Sequence, residues 1–180
     1  MTHHVRDGAP GPARVGIVMG SENDLTIMAE CCRSLETLGI AYEVNVLSAH
    51  RTPGPAAEWA RTAQGRGIQV IVAAAGGAAH LAGAMAAHSL LPVIAVPIDS
   101  TPLAGLDALL SSVQMPPGIP VACVAVGKMG ATNAGLLAGQ ILALSDPELA
   151  TRFAEDRKAR AASVTQRNEG LPAKLRELLK

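Results

Sequence analysis

Short apolar runs alternate with helix-patterned segments along most of the chain. Residues 15–19 (Val-Gly-Ile-Val-Met) form the first run and end at Gly20. An apolar run with no polar alternation predicts a strand buried on both faces. Ser21-Glu22-Asn23-Asp24 then supplies several helix-capping side chains. Beyond them Leu25, Met28, Ala29, Leu35 and Leu38 follow helical spacing as far as Gly39. A second strand is predicted over 42–47, and a helix over about 56–64 that closes at Gly65 and Gly67. The third strand, 69–74, runs into Ala75-Gly76-Gly77-Ala78-Ala79-His80-Leu81 and an Ala- and Gly-rich helix reaching Leu90.

A fourth strand covers 92–97, a helix 103–113, and Pro116, Pro117, Gly118 and Pro120 mark a loop. Residues 121–126 predict a fifth strand and 127–144 a long helix of small residues. Asp146-Pro147-Glu148 opens another helix by cap and first-turn proline, extending to about residue 162. Residues 164–170 read as a linker and 172–180 as a short basic helix. Strand and helix alternate five times, and the strands are continuous apolar runs. The pattern predicts an α/β protein with a parallel sheet covered on both faces by helices.

The uncharged stretch between Arg66 and Asp99 exceeds the length of a membrane-spanning helix. Gly76-Gly77, His80, His88 and Pro92 interrupt it, so a strand, a helix and a second strand explain it better, and a soluble protein is expected. With 180 residues and 49% hydrophobic content, one domain with a sizeable core is the simplest organisation. Fifteen basic residues balance fifteen acidic ones, which argues against a nucleic-acid or anionic-membrane partner. Trp59, Tyr42 and Phe153 are the only aromatic residues, too few for a base-stacking platform. Cys31, Cys32 and Cys123 are odd in number, lack zinc spacing and fall in apolar elements, as reduced thiols of a cytoplasmic protein do. Residues 1–12 read as a flexible tail, 13–163 as the functional domain and 164–180 as a C-terminal extension.

Ligands of open α/β sheets bind at the carboxyl ends of the strands. The polar residues of this chain collect in those loops. After the second strand, Ser48-Ala49-His50-Arg51-Thr52-Pro53 places a hydroxyl, an imidazole and a guanidinium close together. Hydroxyl and arginine suit a phosphate or carboxylate, and histidine moves protons near neutral pH; the alternative is an ordinary β-to-α loop. Ser21 begins a helix N-terminus suited to an anion, and Asp24 suits a pair of hydroxyls, unless both merely cap the helix. Gly76-Gly77 either lets backbone donors approach a flat ligand or makes a tight turn. His80 and His88, each taken alone, read as structural.

Met19-Gly20-Ser21-x-x-Asp24, Ser48-Ala-His-Arg-Thr-Pro53, Ala75-Gly-Gly-Ala-Ala-His-Leu81, Val113-Gln-Met-Pro116 and Gly118-Ile-Pro120 together resemble the PurE family, the N5-carboxyaminoimidazole ribonucleotide mutases of bacterial purine biosynthesis. The resemblance runs in order from about residue 15 to 162. It implies a three-layer α/β/α sandwich with a parallel, flavodoxin-like sheet, a homo-octamer, a cytoplasmic location and a small nucleotide substrate. It also implies a carboxyl transfer that needs no ATP, metal or organic cofactor.

On the same resemblance His50 is the general acid and base, Arg51 and Ser48 hold the phosphate, and Ala49 belongs to the substrate-binding set. Asp24 takes the ribose, Ser21 with the Gly76-Gly77-Ala78 backbone takes the carboxylate and base, and His80 and Leu81 shape the wall. Asn23, Leu25 and Ala82 stand where the family commonly has serine, tryptophan and proline, with Asn23 near the phosphate. The rival readings are a carboxylase using free CO2, a related enzyme of another heterocyclic nucleotide, and a non-catalytic binding module. A receiver module would need paired acids after the first strand, and a flavin-binding loop a Ser/Thr-rich one; neither is present.

Overall fold

The computed structural model describes residues 11–180, so nearly all of the 1–12 tail lies outside the described residues. Strand β1 (Val15–Met19) has β2 (Tyr42–Val46) on one side and β3 (Val70–Gly76) on the other. Beyond β3 lie β4 (Val93–Ile98) and β5 (Ala122–Cys123). Every pairing is parallel, and the order β2-β1-β3-β4-β5 is that of a flavodoxin-like sheet. Met19 aligns with Val46 on one side and Ala74 on the other. That level register delivers the loops after β1, β2 and β3 to one edge of the sheet.

Side chains alternate across a strand, so the apolar runs feed two cores. Val15, Ile17 and Met19 point to the face covered by α1 (Leu25–Thr37), α5 (Gly127–Ala143) and the start of α6 (Pro147–Leu178). Met28, Leu35, Ala131, Ala138 and Leu149 meet them there, all fully or nearly fully buried. Val18, Ile71 and Ala73 point to the opposite face, under α2 (Pro53–Ala63) and α3 (Leu81–His88). Gly16 is a close approach: a Cβ there would lie 2.8 Å from the Trp59 ring of α2. The three-layer α/β/α sandwich thus follows from strands that are apolar on both sides. The remaining helix, α4 (Leu106–Val113), packs against β4 and β5.

Several boundaries differ from the sequence expectation, each for a local reason. α2 begins at Pro53 rather than near residue 56, because proline's fixed φ suits the first helical position. α4 begins at Leu106 rather than 103, because Ala104 (φ 49) and Gly105 (φ 83) are left-handed and incompatible with a helix. β5 shrinks from the expected 121–126 to Ala122–Cys123, since this edge strand pairs with β4 alone.

The largest correction concerns residues 164–170, expected as a linker. They are helical, and α6 runs unbroken from Pro147 to Leu178 with Pro172 inside it. Gly170 and Pro172 weaken a helix without ending it when strong helix formers such as Ala161, Ala162, Arg167 and Glu169 continue the run. Proline forfeits one backbone hydrogen bond, while its φ remains helical.

Candidate active site

The loop after β1 turns on Ser21, whose extended backbone (φ −149°, ψ 149°) opens a 3-10 turn over Glu22–Asp24. The Ser21 hydroxyl accepts the Asn23 N–H at 3.2 Å. This turn carries Asp24 inward until it is only 5% exposed. Burial raises the Asp24 carboxyl above the ordinary carboxylate range, and a hydrogen bond from the Ser21 backbone opposes that rise. A buried carboxylate with lone pairs to spare is an acceptor for a ligand's hydroxyl pair.

The loop after β2 is wound on its own serine. Ser48 Oγ accepts backbone N–H groups from His50 (3.3 Å) and Arg51 (3.1 Å), while Thr52 Oγ1 accepts the Ser48 N–H at 2.9 Å. Arg51 Nη2 donates to the Gly20 carbonyl at 2.6 Å, tying this loop to the end of β1. The guanidinium is thereby fixed with donors still free for an anion.

In the loop after β3, Gly77 takes a left-handed conformation (φ 60) and turns the chain into α3. Gly76 is a close approach to the β4 side: a Cβ there would lie 1.8 Å from Ser100 Oγ. From α4, the Ser111 and Ser112 hydroxyls reach the Gly77 and Ala79 carbonyls, each at 3.4 Å. His80, just before α3, meets His50 with Nδ1 and Nε2 2.9 Å apart.

These loops enclose a cleft of about 350 Å³. Ser21, Asn23, Asp24, Ser48, Ala49, His50, Arg51, Gly76, Ala78 and Leu81 line it. Gly77 and His80 do not line it: Gly77 acts in the turn and His80 stands behind His50. His88 closes the far end of α3. Gly20, Ala75 and Ser100 also line the cleft and were missed in sequence. For Ser100 the signal was available, because the strand-end rule applies to β4 as well as to the first three strands.

The cleft thus offers one arginine with hydroxyls for an anion, one buried carboxylate for a diol, backbone amides beside glycines, and one imidazole, His50, held from outside the cleft by His80. Among the described residues no group of three or more His, Cys, Asp or Glu side chains is placed to hold a metal ion.

The family model for AIR carboxylase matches residues 14–163. The chain belongs to the AIR carboxylase family. Within this family, the N5-carboxyaminoimidazole ribonucleotide mutase of Bacillus subtilis (strain 168) is 52% identical over 157 residues, covering 87% of this chain and 97% of that protein. The mutase of the same name from Escherichia coli (strain K12) is 51% identical over 155 residues, covering 86% and 92%. That from Pyrococcus abyssi is 54% identical over 148 residues, covering 82% and 84%. A solved structure of Treponema denticola PurE superposes with a TM-score of 0.79 at 29% identity, covering 87% of this chain and 97% of that one. The family match ends at residue 163, so the last turns of α6 lie beyond it.

Proposed function

We propose that this protein is an N5-carboxyaminoimidazole ribonucleotide mutase, moving a carboxyl group from the exocyclic nitrogen of the aminoimidazole to a ring carbon. The observation that carries the reading is near-full-length identity of about one half to mutases of that name. The cleft supports it, because each part of such a nucleotide meets a group of suitable chemistry. Arg51, Ser48 and Asn23 suit the phosphate, Asp24 the ribose hydroxyls, and Ser21, Ala49, Leu81 and the Gly76–Ala78 backbone the base and its carboxylate.

In this scheme His50 begins protonated. The carbamate N–C bond breaks, its electron pair stays on nitrogen, and His50 gives that nitrogen a proton. The ring carbon, enamine-like, then attacks the released CO2 and forms the new C–C bond. The proton displaced from that carbon returns to His50, so the enzyme ends as it began. His80, hydrogen-bonded to His50, orients the imidazole through both steps. Every proton and electron pair is accounted for by substrate and imidazole, so no metal, ATP or organic cofactor takes part.

The same reading places the protein in the cytoplasm as a homo-octamer. Its three free cysteines suit a reducing compartment. Solvent-facing Leu90 (98% exposed) and Leu144 (89%) suit contact with further copies.

The test is turnover of the unstable carbamate nucleotide, measured against its spontaneous decay, with the carbamate carbon labelled. A mutase accelerates conversion and keeps most of the label in product despite excess unlabelled bicarbonate. The competing reading, suggested by the family's own description, is a carboxylase that takes aminoimidazole ribonucleotide and dissolved CO2 directly. Label lost completely in the first turnovers would sink the mutase reading in favour of that one.

A further inference from the structure

We infer that Ser100, supplied by the loop after β4, touches the substrate: its hydroxyl donates to an oxygen of the carboxyl group while that group is in transit. This rests on the mutase reading and adds a residue to it.

The position follows from strand register. Gly76 pairs with Ile98 across β3 and β4, so Ser100, two residues on, rises beside the Gly76 α-carbon. A Cβ on Gly76 would lie 1.8 Å from Ser100 Oγ and 3.0 Å from Ser100 Cβ. The glycine leaves open the space that the hydroxyl fills, and Ser100 lines the cleft there.

The chemistry follows from what the other groups already hold. Ser48 Oγ accepts the His50 and Arg51 N–H groups and keeps its proton for the phosphate, and Ser21 Oγ accepts the Asn23 N–H and keeps one proton for the base side, so neither supplies a second donor to the migrating group. Ser100 Oγ has no protein hydrogen-bond partner among the described residues, so both its proton and its lone pairs serve the cleft. The Asp24 carboxylate repels a second carboxylate and favours seating the migrating group away from it. The β3–β4 side supplies the alternative, with Gly76, Ala78 and Ser100 together.

Once the N–C bond breaks, the fragment is uncharged CO2, and a cation no longer holds it by net charge. A hydroxyl aimed at its partly negative oxygen still does. The same donor stabilises the charge that returns to oxygen as the C–C bond forms, an interaction strongest in the transition state.

Ser100→Ala and Ser100→Thr, assayed on full-length protein beside the parent, test this. Three readouts are needed: kcat, KM, and the fraction of turnovers that release free aminoimidazole ribonucleotide. Ser100→Ala is expected to lower kcat roughly 10- to 100-fold, the loss of one hydrogen bond to a charged group. KM should stay within about threefold, the released fraction should rise, and Thr, which keeps the hydroxyl, should recover most of the lost activity. A thermal midpoint unchanged in Ser100→Ala accompanies that result. An active parent with an alanine variant unchanged in kcat and release overturns the Ser100 assignment alone. So does a variant whose activity falls only with its thermal midpoint. A parent that fails to accelerate carbamate conversion removes the mutase reading, and this inference with it.

Discussion

His50 Nε2 lies 2.9 Å from His80 Nδ1, and the two rings stand at 87° to each other. The residues are thirty apart in sequence and meet because β1 lies between β2 and β3 in level register. One nitrogen of the contact must carry a hydrogen and the other must not, so each ring fixes the tautomer of its neighbour. His50 lines the cleft, and His80 stands behind it.

Replacing the front ring should therefore separate chemistry from binding. His50→Asn is expected to lower kcat by roughly 10²- to 10⁴-fold, the range for a general acid–base group. Nucleotide affinity, read by calorimetry with a product analogue, should change little, because Arg51, Ser48 and Asp24 remain. Near-parental turnover in His50→Asn would end its assignment.

Replacing the rear ring should have a smaller effect of a different kind. His80→Ala removes one hydrogen bond, a change of about 0.5–1.5 kcal/mol, or roughly 2- to 10-fold in kcat. His80→Gln, which keeps a hydrogen-bonding group at that place, should recover part of the loss. An alanine variant with parental kcat would show that the contact does not position His50.

Gly76→Ala probes the same floor of the cleft from below. The added methyl meets Ser100 Oγ at 1.8 Å, and the Ile98 carbonyl at 3.2 Å. Rotation of Ser100 relieves the Oγ clash but not the contacts with Ser100 Cβ (3.0 Å) and the Ile98 carbonyl, so the backbone must also give and the stability cost should fall within the usual overpacking range of about 1–3 kcal/mol. Activity should fall at least as far as in Ser100→Ala, since the hydroxyl is displaced. Paired denaturant unfolding and turnover measurements check this. A large loss of stability with activity per folded molecule intact would contradict it.

The elements that could be read in sequence are those whose signal is local. The apolar runs at 15–19, 70–74 and 93–97 all lie in strands, because both faces of each are covered. The loops holding Ser21, Ser48 and Gly76 were placed by the strand-end rule, which needs only a parallel sheet. The His50–His80 contact was not legible, because it depends on which strand lies between two others. Ser100 has no motif around it, but it follows the end of β4, where the same strand-end rule applies, and the Gly76–Ile98 pairing is what sets it beside the cleft. At residues 164–170 the local signal misled, because Gly170 and Pro172 weaken a helix that neighbouring residues sustain.

Chelation should leave activity unchanged. In the cleft Asp24 is the one carboxylate, and His50 is engaged with His80, so the donor set suits hydrogen bonding rather than ligation. The check is turnover after dialysis against EDTA, with metals added back singly. Inhibition reversed by one particular metal would contradict the proton-only scheme.

Asp146 gives a prediction about acid stability away from the site. It caps α6 by accepting the Leu149 N–H at 3.0 Å, and it pairs with Arg14 at 2.6 Å. The Leu149 hydrogen bond first, and Arg14 next, hold its carboxyl below the ordinary value of 3.8. A folded-state value below the unfolded one means that the ionised carboxylate favours the fold. That contribution is complete above the unfolded value and is lost as pH falls through the folded one. Asp146→Ala should therefore lower Tm at neutral pH by roughly 2–4 °C, typical of one lost helix cap in a chain of this size. Below about pH 3.8 the gap between parent and variant should narrow, closing once the folded carboxyl is protonated. Thermal melts across that window decide the matter: a gap that stays constant into acid would mean that the charge on Asp146 contributes nothing to holding α6.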